Sequence, residues 1–190
     1  MKRLIENPFF KYGFPQDNGV DKVSTNVEAV RKLLELCPKA SRTPLASSIL
    51  LAEKAGVKNI WFKDERKRMG LGSFKALGAS YVIADHASQM VGNSASADEW
   101  KNALNGKYYV TASAGNHGLS LAAGARLFGA KAVIYLSENV PSSFADKIKS
   151  YGADVVIVGK SYEESMEGAQ QAAKDNDWML LSDVTWDGYD

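Results

Sequence analysis

From Tyr108 onward the chain alternates between short β-branched or aromatic runs and helical runs, and this alternation most limits how it can fold. Tyr108–Thr111, Ala132–Leu136, Val155–Val158 and Trp178–Leu181 read as strands. His117–Phe128, Ser142–Tyr151 and Tyr162–Lys174 read as the helices between them. Strands separated by helices do not return as hairpins. Each helix crosses a sheet face, which makes the strands parallel and the crossovers right-handed. The segments Phe128-Gly129-Ala130-Lys131-Ala132-Val133-Ile134 and Tyr151-Gly152-Ala153-Asp154-Val155-Val156-Ile157 repeat one junction. In each, glycine takes the left-handed position that ends a helix, and valine and isoleucine open the next strand. The fold class expected is α/β, with parallel sheets and flanking helices.

The first half is less regular. Residues 1–22 are rich in aromatics, Gly and Pro and read as an arm packed on the body, with the apolar stretch 8–14 suited to a dimer contact. Ser24, Thr25 and Asn26 are candidate caps for a helix in which Val27, Val30, Leu33, Leu34 and Cys37 follow helical spacing, until Pro38 stops it. Thr43-Pro44-Leu45 opens a second helix ending near Gly56, Asn59–Lys63 is a strand, Asp64–Gly70 is a charged loop, and a helix bearing Lys75 follows. Gly92–Asp98 is the linker-like stretch and divides the chain into residues 1–95 and 96–190.

Composition excludes several functions. With 23 Lys and Arg against 22 Asp and Glu, there is no cationic excess for nucleic acid or a membrane surface. One cysteine, Cys37, forbids an intrachain disulfide and reads as a buried structural thiol. Two histidines, His86 and His117, give no metal cluster, so no metal is expected. The first residues lack a signal-peptide core and no apolar run is long enough to span a bilayer, so a cytoplasmic protein is the default expectation.

Two segments suggest chemistry. In Gly70-Leu71-Gly72-Ser73-Phe74-Lys75-Ala76-Leu77-Gly78, a lysine stands among small and apolar neighbours near a helix start. A helix N-terminus and desolvation both disfavour an ammonium, which favours attack on an aldehyde and imine formation with a cofactor. The other reading is a surface lysine with a snorkelling stem. In Ser113-Ala114-Gly115-Asn116-His117-Gly118, a loop between strand and helix offers backbone N–H groups to a carboxylate or phosphate, and Asn116 can donate to a ring hydroxyl. A plain βα turn, with His117 bonded to backbone, is the alternative. Asp183 follows the last strand at the carboxyl edge, where parallel sheets hold ligands, either as an acid or base or as a loop cap. Neither Gly70–Lys75 nor Val158-Gly159-Lys160-Ser161 completes a nucleotide-binding pattern: Lys75 takes the place of the third glycine, and Asp154 that of the first.

The order Thr43-Pro44-Leu45, Ser73-Phe74-Lys75, Ser113 to Gly118 resembles the fold-type II pyridoxal-phosphate enzymes, over nearly the whole chain from about residue 40. Within that group it most resembles the diaminopropionate ammonia-lyases, through Pro8-Phe9-Phe10, Arg68-Met69-Gly70-Leu71 and Asp183-Val184-Thr185-Trp186-Asp187-Gly188-Tyr189. The resemblance implies that Lys75 binds pyridoxal 5'-phosphate and moves the Cα proton. It implies that Asn116 contacts the cofactor ring and that Ser113, Ala114, Gly115, Asn116 and His117 hold the substrate carboxylate. Asp183 would act in substrate binding or proton transfer near the leaving amine. The implied reaction is α,β-elimination of a small amino acid such as 2,3-diaminopropionate to pyruvate and ammonia, in a homodimer when intact. Ala114 stands where the diaminopropionate ammonia-lyases carry Asp, and Gly72-Ser73 resembles the hydroxy-amino-acid dehydratases, so a serine or threonine dehydratase is the alternative. The resemblance makes residues 1–95 part of a large cofactor domain and 96–190 a small domain. The carboxyl-terminal half of the large domain and its glycine-rich phosphate loop are not in this sequence, so the expectation is an amino-terminal portion, inactive alone and binding the cofactor weakly, or a non-catalytic fragment.

Overall fold

The parallel sheet is built from β3 (Tyr108–Ala112), β4 (Lys131–Leu136), β5 (Asp154–Ile157) and β6 (Met179–Leu180), in the spatial order β5-β4-β3-β6. The structure, a computed structural model, describes residues 26–92 and 95–184. The arm at 1–22, the candidate caps Ser24 and Thr25, and the signature residues 185–189 therefore lie outside the described residues. Tyr109 pairs with Ala132 and Val110 with Val133 on one side of β3, and Val110 with Leu180 on the other. The order reverses at β3, since β4 lies on one side of it and β6 on the other. Such a switch opens a crevice at the carboxyl ends of the strands.

Alternation along the strands sends side chains to two cores. Tyr109 and Ile134 pack with Ile83, Leu121 and Ala125, which come from α3 (Ala79–Val91) and α5 (Asn116–Leu127). Val110, Ala112 and Val133 face the opposite way, onto Met166, Ala169 and Ala173 of α7 (Tyr162–Asn176). Burying each large apolar side chain stabilises the body by about 1.5–3 kcal/mol. Small residues let α3 and α5 approach closely, and Ser80 Oγ donates to the Ser120 carbonyl at 2.9 Å between them. Gly129 and Gly152 both adopt positive φ, 81° and 87°, so the repeated junction is built as its sequence predicts. α6 (Ser142–Ser150) covers the outer part of the sheet.

The amino-terminal part departs from expectation in several places. Asn26 caps α1 (Val27–Leu36), accepting from the Ala29 N–H at 3.2 Å, but no α1 residue is buried and Cys37 is only half-buried at the helix end. The helix lies at the edge of the body against α3, so the thiol is not a core residue. Residues 43–56 are not one helix. Leu45–Ser47 forms β1, which pairs antiparallel with β2 (Trp61–Lys63), and only Ile49–Ala55 is helical, as α2. Pro44 lacks an N–H, while Ser48 Oγ accepts from the Leu51 N–H at 3.3 Å and starts the helix later. The linker-like stretch contains a start signal: Ser96 and Glu99 form a reciprocal capping box that begins α4 (Ala97–Asn102). Among the described residues no helix is long and apolar enough to cross a membrane.

Candidate active site

Lys75 sits on a 3-10 turn, Phe74–Leu77, that precedes α3 and is separate from it. It is therefore not in the first turn of an α-helix, and the dipole argument drawn from the sequence does not apply. Its position comes instead from its neighbours. Ser73 is buried and its Oγ accepts from the Lys75 N–H at 3.2 Å, while Ala76, 2% exposed, anchors the turn in the body. The lysine side chain is 32% exposed, with Nζ 5.7 Å from the centre of the Phe74 ring.

Its Nζ donates to Asp183 Oδ2 at 2.7 Å, a contact between residues 108 positions apart. Asp183 follows β6, and two bonds fix the backbone before it. The Leu181 N–H donates to the Val110 carbonyl, and His117 Nε2 donates to the Leu181 carbonyl, each at 2.9 Å. His117 is 5% exposed, so its ring is a buried brace between the start of α5 and the segment that bears Asp183. Partial burial alone would raise the Asp183 carboxyl; the Lys75 hydrogen bond and the charges of His117 and Lys75 outweigh it and hold the carboxyl below its ordinary range. Tyr162, the first residue of α7, belongs to this edge too. Its hydroxyl is pushed up by burial, then by the negative charges of Asp183 and Glu163. Sequence reading missed it, although its place just after β5 and the Ser161 cap was a usable signal.

At the start of α5 the cap is Gly115, which offers no side-chain acceptor to the first-turn N–H groups. Ser113 Oγ accepts from the Gly115 N–H at 3.3 Å, and Asn116 is exposed. A Cβ on Gly118 would lie 2.5 Å from the Ser113 carbonyl oxygen, so only glycine lets the helix close on its own entry loop. Ala114 is partly buried against the core and brings no titratable group. The fold thus gathers Lys75, Asp183 and the His117 brace. Asn116 stands at the same strand-to-helix edge but is not part of the Lys75–Asp183 pair.

A polar cluster in the segment before Lys75 was not legible as a site. Thr43 is 6% exposed; its Oγ1 donates to Glu65 Oε1 at 2.6 Å and accepts from Arg68 Nη2 at 2.9 Å. Arg68 Nε meets Glu65 Oε2 at 2.6 Å, and Lys63 donates to the Thr43 carbonyl. The Arg68 and Thr43 hydrogen bonds hold the Glu65 carboxyl at about 2. Among the described residues no group of three or more His, Cys, Asp and Glu side chains is arranged to hold a metal.

Comparison with known proteins gives this geometry a family context. The family described as pyridoxal-phosphate dependent enzymes matches residues 36–189. The diaminopropionate ammonia-lyase of Salmonella typhimurium is 33% identical over 161 residues, covering 80% of this chain and 40% of that protein. A catabolic L-threonine dehydratase of Staphylococcus aureus is 34% identical over 144 residues, covering 76% of this chain and 37% of that protein. The solved diaminopropionate ammonia-lyase of Escherichia coli in complex with D-serine superposes with a TM-score of 0.78 at 31% identity, over 88% of this chain and 44% of that one. The chain spans about 40% of the length of the curated relatives it matches.

Proposed function

Because the chain belongs to the pyridoxal-phosphate dependent enzymes and shares the α/β fold of their fold-type II members, we propose that it forms the lysine-bearing part of an ammonia-lyase. The elimination would convert a small amino acid such as 2,3-diaminopropionate to pyruvate and ammonia. The observation that supports this best is the Lys75–Asp183 pair at the carboxyl edge of the sheet, beside a helix start without a side-chain cap.

Pyridoxal 5'-phosphate is the family's cofactor, and the residues present fit it: a partly exposed amine faces the Asp183 carboxylate, and α5 opens toward solvent through Gly115 and Asn116. Lys75 would hold it, with Asn116 at its ring. When bound, the group supplies an electron sink for negative charge at the substrate Cα. This chain's own residues then have distinct tasks. The N–H groups from Ser113 to His117 bind the substrate carboxylate, the Lys75 amine takes the Cα proton, and the Asp183 carboxylate holds the departing ammonium. Residues 1–95 and 96–190 are proposed as contributions to a large and a small domain.

A second reading is supported by Ala114, which leaves its loop position without a proton-transfer group, and by the similarity to the Staphylococcus aureus dehydratase. The hydroxy-amino acids serine and threonine would then be the substrates. The test is pyruvate or 2-ketobutyrate release from 2,3-diaminopropionate isomers, serine and threonine by a preparation containing this chain. Diaminopropionate is expected to be the preferred substrate, and Lys75→Ala to abolish turnover. Preference for serine or threonine selects the dehydratase reading, and turnover by the Ala variant refutes both. The 190-residue chain assayed alone is expected to be nearly inactive, consistent with the 40% of the relative's length that it matches.

A further inference from the structure

We propose that Asp183 is a latch on Lys75: without cofactor the carboxylate engages the lysine ammonium, and the pair must open before the amine captures an aldehyde. This rests on the reading of Lys75 as the aldehyde-capturing lysine. The two side chains are 2.7 Å apart and only 32% and 28% exposed, so water screens them less than a fully exposed pair. The two partners are held differently. Asp183 hangs from a segment pinned by the Val110 carbonyl and the buried His117 ring. Lys75 ends a flexible four-carbon stem above the exposed Phe74 ring. Opening is therefore a movement of the lysine away from a fixed carboxylate.

The released ammonium gives its proton to solvent, and its nitrogen attacks the aldehyde carbon. The carbonyl oxygen leaves as water, forming the C=N bond. Asp183 has then lost the lysine and can receive another cation, which favours a second ammonium from a diamino substrate over a neutral hydroxyl. The latch and the proposed leaving-group contact are successive uses of one carboxylate.

The experiment is reductive methylation of the full 190-residue chain at pH 7, with formaldehyde as the aldehyde and cyanoborohydride as the hydride donor, read by peptide mass spectrometry. Lys75 is followed against the exposed Lys107 and Lys149. Asp183→Asn is expected to speed labelling of Lys75 about fivefold, the factor given by a pair worth about 1 kcal/mol, without changing the controls. Asp183→Glu should keep it slow. Unchanged or slower labelling of Lys75 in the Asn variant overturns the latch, as does equal acceleration in the Glu variant. If every lysine accelerates in a variant that has unfolded, the wild-type chain decides: added salt should speed Lys75 relative to the controls, and no such change overturns the proposal. The latch can fail while Lys75 remains the cofactor lysine. Turnover by the Lys75→Ala protein would instead remove the functional reading and leave the labelling result standing.

Discussion

In the parallel sheet, Tyr109, Val110 and Ile134 are fully buried, whereas the antiparallel ribbon of β1 and β2 leaves Leu45, Trp61 and Phe62 exposed by 64%, 62% and 44%. The site is assembled from both parts. Asp183 and His117 are fixed by the sheet and its helices, while the segment leading to Lys75 is held by the Thr43–Glu65–Arg68 hydrogen bonds and by capped turns. Both sides of the ion pair combine burial with polar contacts: Ala76 is buried beside Lys75, and the Asp183 segment is held by its bonds to Val110 and His117. In the proposed latch the carboxylate is the fixed member and the lysine the movable one.

That contrast breaks most readily in unfolding experiments. Ile134→Ala, at a fully buried position, should cost about 2–5 kcal/mol in urea denaturation. A cost near zero would mean that the sheet is not the stable body. Gly118→Ala should follow, at about 1–3 kcal/mol, because its methyl group would meet the Ser113 carbonyl oxygen at 2.5 Å. Gly115→Ala, with nothing within 4 Å of the added carbon, should change stability little and serves as its control.

The ribbon should respond to pH through Glu65. The Glu65 carboxyl is held at about 2 in the folded chain, against an ordinary 4.5. A lowered folded value means that its contribution is present above about pH 4.5 and is lost as pH falls toward about 2. Protection of the Asp64 N–H, which donates to the Pro44 carbonyl, should fall across that window when exchange is measured against the unstructured rate at each pH, and Glu65→Gln should lessen that fall, leaving the part due to Asp64 itself. An identical pH response in the variant would deny Glu65 this role. The smallest effect belongs to the apolar surface of α2, the helix between the two ribbon strands: Leu50→Ala, at a residue 71% exposed, should stay within about 0.5 kcal/mol. A loss comparable with Ile134→Ala would show that Leu50 is covered in solution and would erase the contrast.

The same division decides what was legible in the sequence. From Tyr108 onward, periodicity and helix-ending glycines are local signals, and the strands and helices fall within a residue or two of expectation. Between Thr43 and Lys63 the deciding interaction is the pairing of Leu45 with Lys63 across a turn and a helix, which no local pattern records, so a strand was read as helix. The short α4 was hidden because its capping box lies in a stretch that also looks like a linker. Lys75 and Asp183 could each be singled out from residue type and place. Their contact could not, because it depends on β6 lying beside β3 and on His117 gripping Leu181.

Reduction in place shows which lysine takes up the cofactor, proposed to be Lys75. The 190-residue chain would be incubated with pyridoxal 5'-phosphate, reduced with borohydride and mapped by peptide mass spectrometry. A phosphopyridoxyl adduct concentrated on Lys75 is expected even at low total occupancy, together with its loss from that peptide in Lys75→Ala. An adduct spread over exposed lysines such as Lys107 and Lys149, with Lys75 unmodified, would contradict it.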